Sequence, residues 1–503
     1  MHFNSTQNNK NIVNSAQAIA QGLSPDGGLF VPQSFPKINL QELINLTYNG
    51  RAKSVLGLYL TDYSAPELAN CVDNAYNAEK FGSDNPTPIT AQSFNGTQIN
   101  FLELWHGPTS AFKDMALQIL PHLLTLAYKK EEAGKQALIL VATSGDTGKA
   151  ALEGFKDVPN TQIAVFYPEN GVSEIQKFQM NSQAGENVLV CGINGNFDDA
   201  QTAVKRLFNT QTLINKLAAK NTMFSSANSI NFGRLVPQVV YYISAYCDMV
   251  NGGKIAMGEQ INVVVPTGNF GNILAAYYAK RMGLPIGKLI CASNSNNVLA
   301  EFINTGVYNK NRKFFTTISP SMDILVSSNL ERLLYHLCGE NSDTVAAMMQ
   351  SLKTNGSFTV ADDVKAEISE LFYGNSCTEE ETQQTIKQLF EQSCYLCDPH
   401  TAVAVNVYDK YAKQTGDCKT PVLLVSTASP YKFPAAVLDA LDAKQQGVAS
   451  CKNEFEMLDV LNSLTGAPVP APILNLKTQT KRFANLTEVP DMEQFLTEKL
   501  GLN

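Results

Sequence analysis

The chain has 503 residues, 44% of them apolar, with a formal net charge of −8 and a pI near 5.3. That apolar content predicts a packed core rather than a disordered chain, and the length predicts roughly three domains. The acidic balance excludes a general nucleic-acid binder, which needs a basic face, and no apolar run approaches the ~20 residues of a membrane-spanning helix.

Ten cysteines are scattered from Cys71 to Cys451, and the opening MHFNSTQNNK lacks the apolar stretch of a secretory leader. Together these predict reduced, mostly buried thiols in a cytoplasmic protein. Cys394 and Cys397 have C-x-x-C spacing, but only His400 lies near them. A structural zinc wants a second pair or more histidines, so the expectation is two thiols on a half-buried strand and no metal.

Residues 1–95 read as a first unit. A turn-rich ribbon runs from Gly22 to Pro32, helical segments follow over 40–47 and 52–59, and a breaker-rich linker lies at 84–87. No cofactor chemistry is visible there. The stretch 103–120, ELWHGPTSAFKDMALQIL, is different. Gly107 and Pro108 make a turn, while Met115, Leu117, Ile119 and Leu120 open an apolar helix, so Lys113 stands where turn becomes helix. Its apolar neighbours predict partial desolvation, which lowers an ammonium pKa and frees an amine able to condense with a carbonyl cofactor. The alternative is a lysine whose stem merely covers apolar surface.

Residues 96–449 alternate strands with helices. Apolar runs at 137–142, 163–167, 188–191, 261–265, 289–292 and 422–425 are near-continuous. Such runs predict an α/β fold whose parallel sheet is covered on both faces, with ligands beyond the carboxyl ends of the strands. Residues 308–391 are more polar and read as an insertion or helical cap; residues 450–503 form a Pro-rich segment ending in a helix over 491–500.

Three strand ends carry candidate chemistry. After 137–142 come Thr143, Ser144, Gly145, Asp146, Thr147, Gly148 and Lys149, small residues at a helix start that suit a carboxylate. A nucleotide P-loop is disfavoured, because Thr143 holds its first glycine position and Ala150 replaces its magnesium-binding hydroxyl. After 261–265, Gly268, Asn269, Phe270, Gly271 and Asn272 form a glycine loop entering a helix, a phosphate cradle of N–H groups. After 422–425, Thr427 offers a hydroxyl to a heterocycle nitrogen and Lys432 a cation, although alone this is only a turn. Arg234 heads a further helix, where it either meets an anion or caps at the surface.

The motifs HGPTSAFKD, ATSGDTG, NSINFGR, PTGNFGN, DPHTAVAV and STASPYKF, in this order, resemble those of the threonine synthases, and GLSPDGGLFVP resembles that family's N-terminal domain. These are pyridoxal-phosphate enzymes of fold-type II, the tryptophan synthase β-like class. The resemblance covers nearly the whole chain. It implies two parallel-sheet α/β lobes around a cofactor cleft, an N-terminal domain over 1–95, a catalytic core over 96–449 with the insertion at 308–391, and a C-terminal segment over 450–503 packed on the core.

By the same resemblance, Lys113 is the Schiff-base lysine, residues 268–272 hold the cofactor phosphate and Thr427 meets the pyridine nitrogen. Ser144, Gly145, Asp146 and Thr147 meet the substrate carboxylate. Arg234 and Lys432, with Lys149 behind them, are the candidates for the substrate phosphate. The implied reaction converts O-phospho-L-homoserine and water to L-threonine and phosphate, in a monomer or homodimer. A dehydratase-like enzyme of the same fold and a catalytically silent relative are the rivals. Ser429 stands where the family's last motif has histidine, Tyr431 where it has alanine, and Glu174 where a proline is usual.

Overall fold

A computed structural model describes residues 1–131, 134–143, 145–170, 172–441, 451 and 453–502. Two largely parallel sheets organise it. One has six strands in the order Phe372–Ser376, Ile286–Ser293, Ile261–Pro266, Val422–Ser426, Thr97–Glu103 and Ile89–Phe94. Neighbours pair in parallel except the last, which folds back as a hairpin on Thr97–Glu103. The other has five parallel strands in the order Leu486–Glu488, Val188–Asn194, Thr161–Pro168, Gln136–Ala142 and Thr222–Ser225.

The six apolar runs of the sequence divide between these sheets, three to each. Their side chains are buried on both faces, as in Ile261–Pro266 and Val422–Ser426, because helices cover both sides of a parallel sheet. The strands without such a run lie at or next to an edge, where one flank needs no apolar cover. Phe372–Ser376 is one of them, so the region expected as a helical cap also completes a sheet. Ile89–Phe94 is another; it lies before residue 96 and yet pairs into the core sheet, Ile89 opposite Leu102.

At the amino end, His2–Ser5, Asn8–Asn14 and Phe30–Pro32 form an antiparallel sheet. It packs on the 20-residue helix Phe232–Asn251, with the Phe3 and Phe232 rings 4.6 Å apart. At the other end Leu486–Glu488 extends the five-stranded sheet, and Met492 and Leu496 of the helix Met492–Lys499 enter its core. The cysteine expectation needs correcting. Cys394 ends the helix Glu379–Ser393 with φ 56°, so Cys394 and Cys397 lie on a loop and not a strand.

Candidate functional site

Lys113 caps the short helix Asp114–Leu117 and is buried. Its Nζ donates to Ser321 Oγ at 3.2 Å and lies 3.5 Å from Asp146 Oδ2. Burial is the main cause that lowers its pKa, with Lys432 and Arg234 acting the same way and Asp146 opposing them. The snorkelling alternative is thereby removed, since the amine points inward among charged groups. The turn before it is locked by Asp114, whose carboxylate accepts from Thr109 N at 2.8 Å and Thr109 Oγ1 at 2.7 Å. Burial pushes the Asp114 carboxyl up to about 6, against those two hydrogen bonds.

The loop after Gln136–Ala142 is drawn tight by Thr143. Its Oγ1 accepts from Gly145 N at 2.9 Å and Gly148 N at 2.8 Å, so those two N–H groups are not available to an anion. Gly145 has φ 134°, and a Cβ there would stand 2.7 Å from the Gln176 amide, so both backbone and space require glycine. Asp146 opens the helix Asp146–Phe155 and turns its carboxylate onto cations: Lys432 Nζ is 2.5 Å from Oδ1, and Gln176 Nε2 donates to the same oxygen at 2.9 Å. Thr147 is half-buried beside it, and Ser144 lies outside the described residues. Lys149 is not part of this group; its Nζ pairs with Glu153 at 3.0 Å and with Gln183.

Phe112 N donates to Thr427 O at 2.7 Å and Ser429 N to Ser110 O at 3.1 Å, which ties the Lys113 turn to the loop after Val422–Ser426. Lys432 follows on that loop, has no solvent exposure, and donates to Thr109 O at 2.9 Å. Arg234 comes from the first turn of Phe232–Asn251. Its Nη1 donates to Ala227 O at 2.8 Å, its buried Nε has no partner, and no carboxylate pairs with it among the described residues. Burial pushes the guanidinium down to about 10. It is therefore not the surface or capping arginine of the bland expectation.

The glycine loop closes the site. Phe270 adopts φ 61° and the helix Gly271–Met282 starts behind it with no side-chain cap, its first residues buried. Uncapped, buried N–H groups at a helix start form an anion cradle. Asn272 Oδ1 accepts from both Tyr241 and Tyr242 hydroxyls at 2.5 Å, which fixes the amide and leaves Nδ2 buried with no partner. Asn329 N and Nδ2 hold the Asn269 carbonyl at 3.1 and 3.0 Å.

Comparison with known proteins shows the family of the chain. Residues 2–76 match the threonine synthase N terminus, residues 82–427 the pyridoxal-phosphate dependent enzymes and residues 401–495 the threonine synthase C-terminal family. Threonine synthase of Saccharomyces cerevisiae is 37% identical over 452 residues, covering 84% of this chain and 86% of the yeast one. The chain belongs to the threonine synthase family. Human threonine synthase-like 1 is 41% identical over 462 residues, covering 89% of this chain but only 61% of that longer protein. The crystal structure of pyridoxal-phosphate-bound threonine synthase from Brucella melitensis superimposes with a TM-score of 0.85 at 35% identity, over 99% of each chain.

Membership places this chain in fold-type II of the pyridoxal-phosphate dependent enzyme family, with pyridoxal phosphate as its cofactor. The cradle fits that cofactor: an uncapped helix start and the free Asn272 Nδ2 suit a phosphate, and a buried amine with lowered pKa suits a carbonyl. Some residues in contact with the site carried no motif. Ser321 sits in a Pro-flanked turn inside the polar region, a weak signal that a hydroxyl had been placed deliberately. Gln176 gave none. His400 lies in the quoted DPHTAVAV motif, but nothing local linked it to Lys113. Among the described residues no helix is long and apolar enough to cross a membrane.

Proposed function

We propose that the protein is a threonine synthase acting on O-phospho-L-homoserine in the cytoplasm, as a monomer or homodimer. The observation that carries the reading is Arg234, a buried cation near Lys113 with no carboxylate partner among the described residues. A dehydratase of the same fold acts on a neutral hydroxyl and has no use for an unpaired guanidinium, whereas a phosphate leaving group does.

Pyridoxal phosphate supplies the electron sink for bond breaking at the substrate's carbons. Lys113 Nζ takes the Cα proton and serves proton transfer at Cβ, which its lowered pKa favours near neutral pH. Asp146 holds that amine and Lys432 in place. Arg234 and Lys432 receive the phosphate as the Cγ–O bond breaks, when their charge counts most. Thr147, with the neighbouring Ser144 and Asp146, would orient the amino-acid carboxylate, Gly145 being excluded because its N–H is already bound to Thr143 Oγ1, and Thr427 would meet the pyridine nitrogen. The three proposed units are 1–95, 96–449 with 308–391 inserted, and 450–503, with the strands Ile89–Phe94 and Phe372–Ser376 crossing their bounds into the core sheet.

The test is direct. Purified protein given O-phospho-L-homoserine should release L-threonine and phosphate in equal amounts. Phosphate release with a 2-oxo acid in place of threonine, or no turnover at all, overturns the reading.

A further inference from the structure

Ser321 lies on the turn Pro320–Met322, far in sequence from every strand end discussed above. Four parts of the site meet on it. Its Oγ accepts from Lys113 Nζ at 3.2 Å and lies 3.5 Å from Asp146 Oδ2. Its carbonyl oxygen lies 2.5 Å from where a Cβ on Gly268 would stand, so it packs directly on the glycine loop. Its backbone N–H donates to His400 Nε2 at 3.1 Å.

That last bond determines the state of the histidine. An Nε2 that accepts a hydrogen bond carries no proton, so the ring's proton is on Nδ1. There it meets Asp398 Oδ2 at 2.6 Å. Asp398 is itself immobilised, with no solvent exposure and further bonds from Thr401 N, Thr401 Oγ1 and His400 N. The groups facing His400 are thus Asp398, the more distant Asp323 and the Phe433 ring. Asp323 anchors the start of the same turn, accepting from Thr317 N at 2.9 Å and from the Asn294 amide at 2.8 Å.

We propose that Ser321 is the hydrogen-bond partner that orients the Lys113 amine, and that His400, fixed by Asp398, is a positioning residue that acts through the Ser321 backbone. The proposal rests on the reading of Lys113 as the amine that holds the cofactor. It explains why a serine in an otherwise polar insertion is anchored from both its backbone N–H and its side chain. The histidine that the family's last motif places after Thr427 is Ser429 here, and the Ser429 hydroxyl caps Tyr431 N at 3.3 Å. In this chain a histidine reaches the lysine's surroundings from the first turn of the helix Pro399–Thr415.

The test uses the cofactor-loaded protein and needs no phosphorylated substrate. The visible absorption of the bound cofactor is titrated against pH in the wild type and in Ser321→Ala, His400→Phe and His400→Gln. Ser321 accepts from the lysine nitrogen and so favours its protonated form, alongside Asp146 and against Lys432 and Arg234. Removing the hydroxyl should move the midpoint down by about one pH unit, the size of one hydrogen bond to a charged group. His400→Phe should move it the same way, and His400→Gln, whose amide oxygen can accept from Ser321 N–H, should restore it. A wild-type midpoint in Ser321→Ala overturns the role of Ser321. Equal midpoints for His400→Phe and His400→Gln overturn the role of His400. Ser321→Ala removes one oxygen and keeps the test open should His400→Phe fail to fold. A loaded protein that shows these shifts but makes no threonine would sink the substrate assignment and leave this one standing.

Discussion

Lys432 Nζ lies 2.5 Å from Asp146 Oδ1, and neither side chain has meaningful contact with solvent. Burial alone would raise the Asp146 carboxyl, but Lys432 and then Lys113 outweigh it and hold the group well below the usual carboxylate range. Breaking a buried pair leaves a charge stranded, so Lys432→Met should cost about 3–5 kcal/mol. Urea unfolding at pH 7 measures this, and Lys432→Met combined with Asp146→Asn should cost clearly less. A depressed carboxyl stabilises the fold above its unfolded pKa of about 4 and loses that contribution as pH falls below it. Asp146→Asn should therefore flatten the acid limb of the stability curve below pH 4; an unchanged limb would show that the pair contributes nothing.

His336 gives a second pH dependence in a different window. Its ring packs against Phe35 and its Nε2 is 3.1 Å from the Tyr278 hydroxyl. Burial first, then Arg281 and Arg332, push the imidazole down to about 3. Glu340, half-exposed and 4.0 Å from Nδ1, does not offset this. The neutral ring stabilises the fold above the unfolded pKa near 6.5 and that share is lost as pH falls toward 3. His336→Phe should lessen the loss of stability between pH 7 and pH 4, as read from denaturant midpoints.

Two glycines of the phosphate cradle should behave differently. A Cβ on Gly268 would lie 2.5 Å from the Ser321 carbonyl oxygen, whereas on Gly271 the nearest atoms are at 3.5 and 3.8 Å. Gly268→Ala should lower stability by about 1–3 kcal/mol through overpacking and weaken cofactor binding by shifting the turn. Gly271→Ala should fold normally, so any loss of cofactor affinity there reports crowding by the ligand itself. Equilibrium dialysis with the cofactor, alongside melting curves, separates the two.

Arg234 has an unpartnered buried Nε. Arg234→Met should reduce turnover of O-phospho-L-homoserine by ~10²-fold, as for a lost preorganised donor, while cofactor content stays at the wild-type level. Wild-type turnover in this variant would move the substrate phosphate elsewhere.

Lys113 should be the point of cofactor attachment. The purified protein should be yellow, and borohydride should fix the cofactor on a peptide containing Lys113. Lys113→Ala should still take up cofactor through the glycine loop and Asn272, but without turnover.

What the sequence determined by itself was local. A short near-continuous apolar run bounded by turn residues reads as a strand covered on both faces, and a glycine-rich turn entering a helix offers N–H groups wherever the sheet lies. Hence the core strands, the glycine loop and the placement of Lys113 between turn and helix were legible in short windows. The edge strands were not, because Thr222–Ser225 and Phe372–Ser376 need no full apolar cover and their pattern is weak. The partners of the lysine were decided by tertiary structure alone. Ser321 stands 208 residues from Lys113 in sequence, and Gln176 reaches Asp146 from another helix. Whether a buried cation is paired, as Lys432 is, or left open, as Arg234 is, depends on which carboxylate the fold brings within a few ångströms. Coulomb energy in a water-excluded site is set by that distance, and no local pattern of residues encodes it.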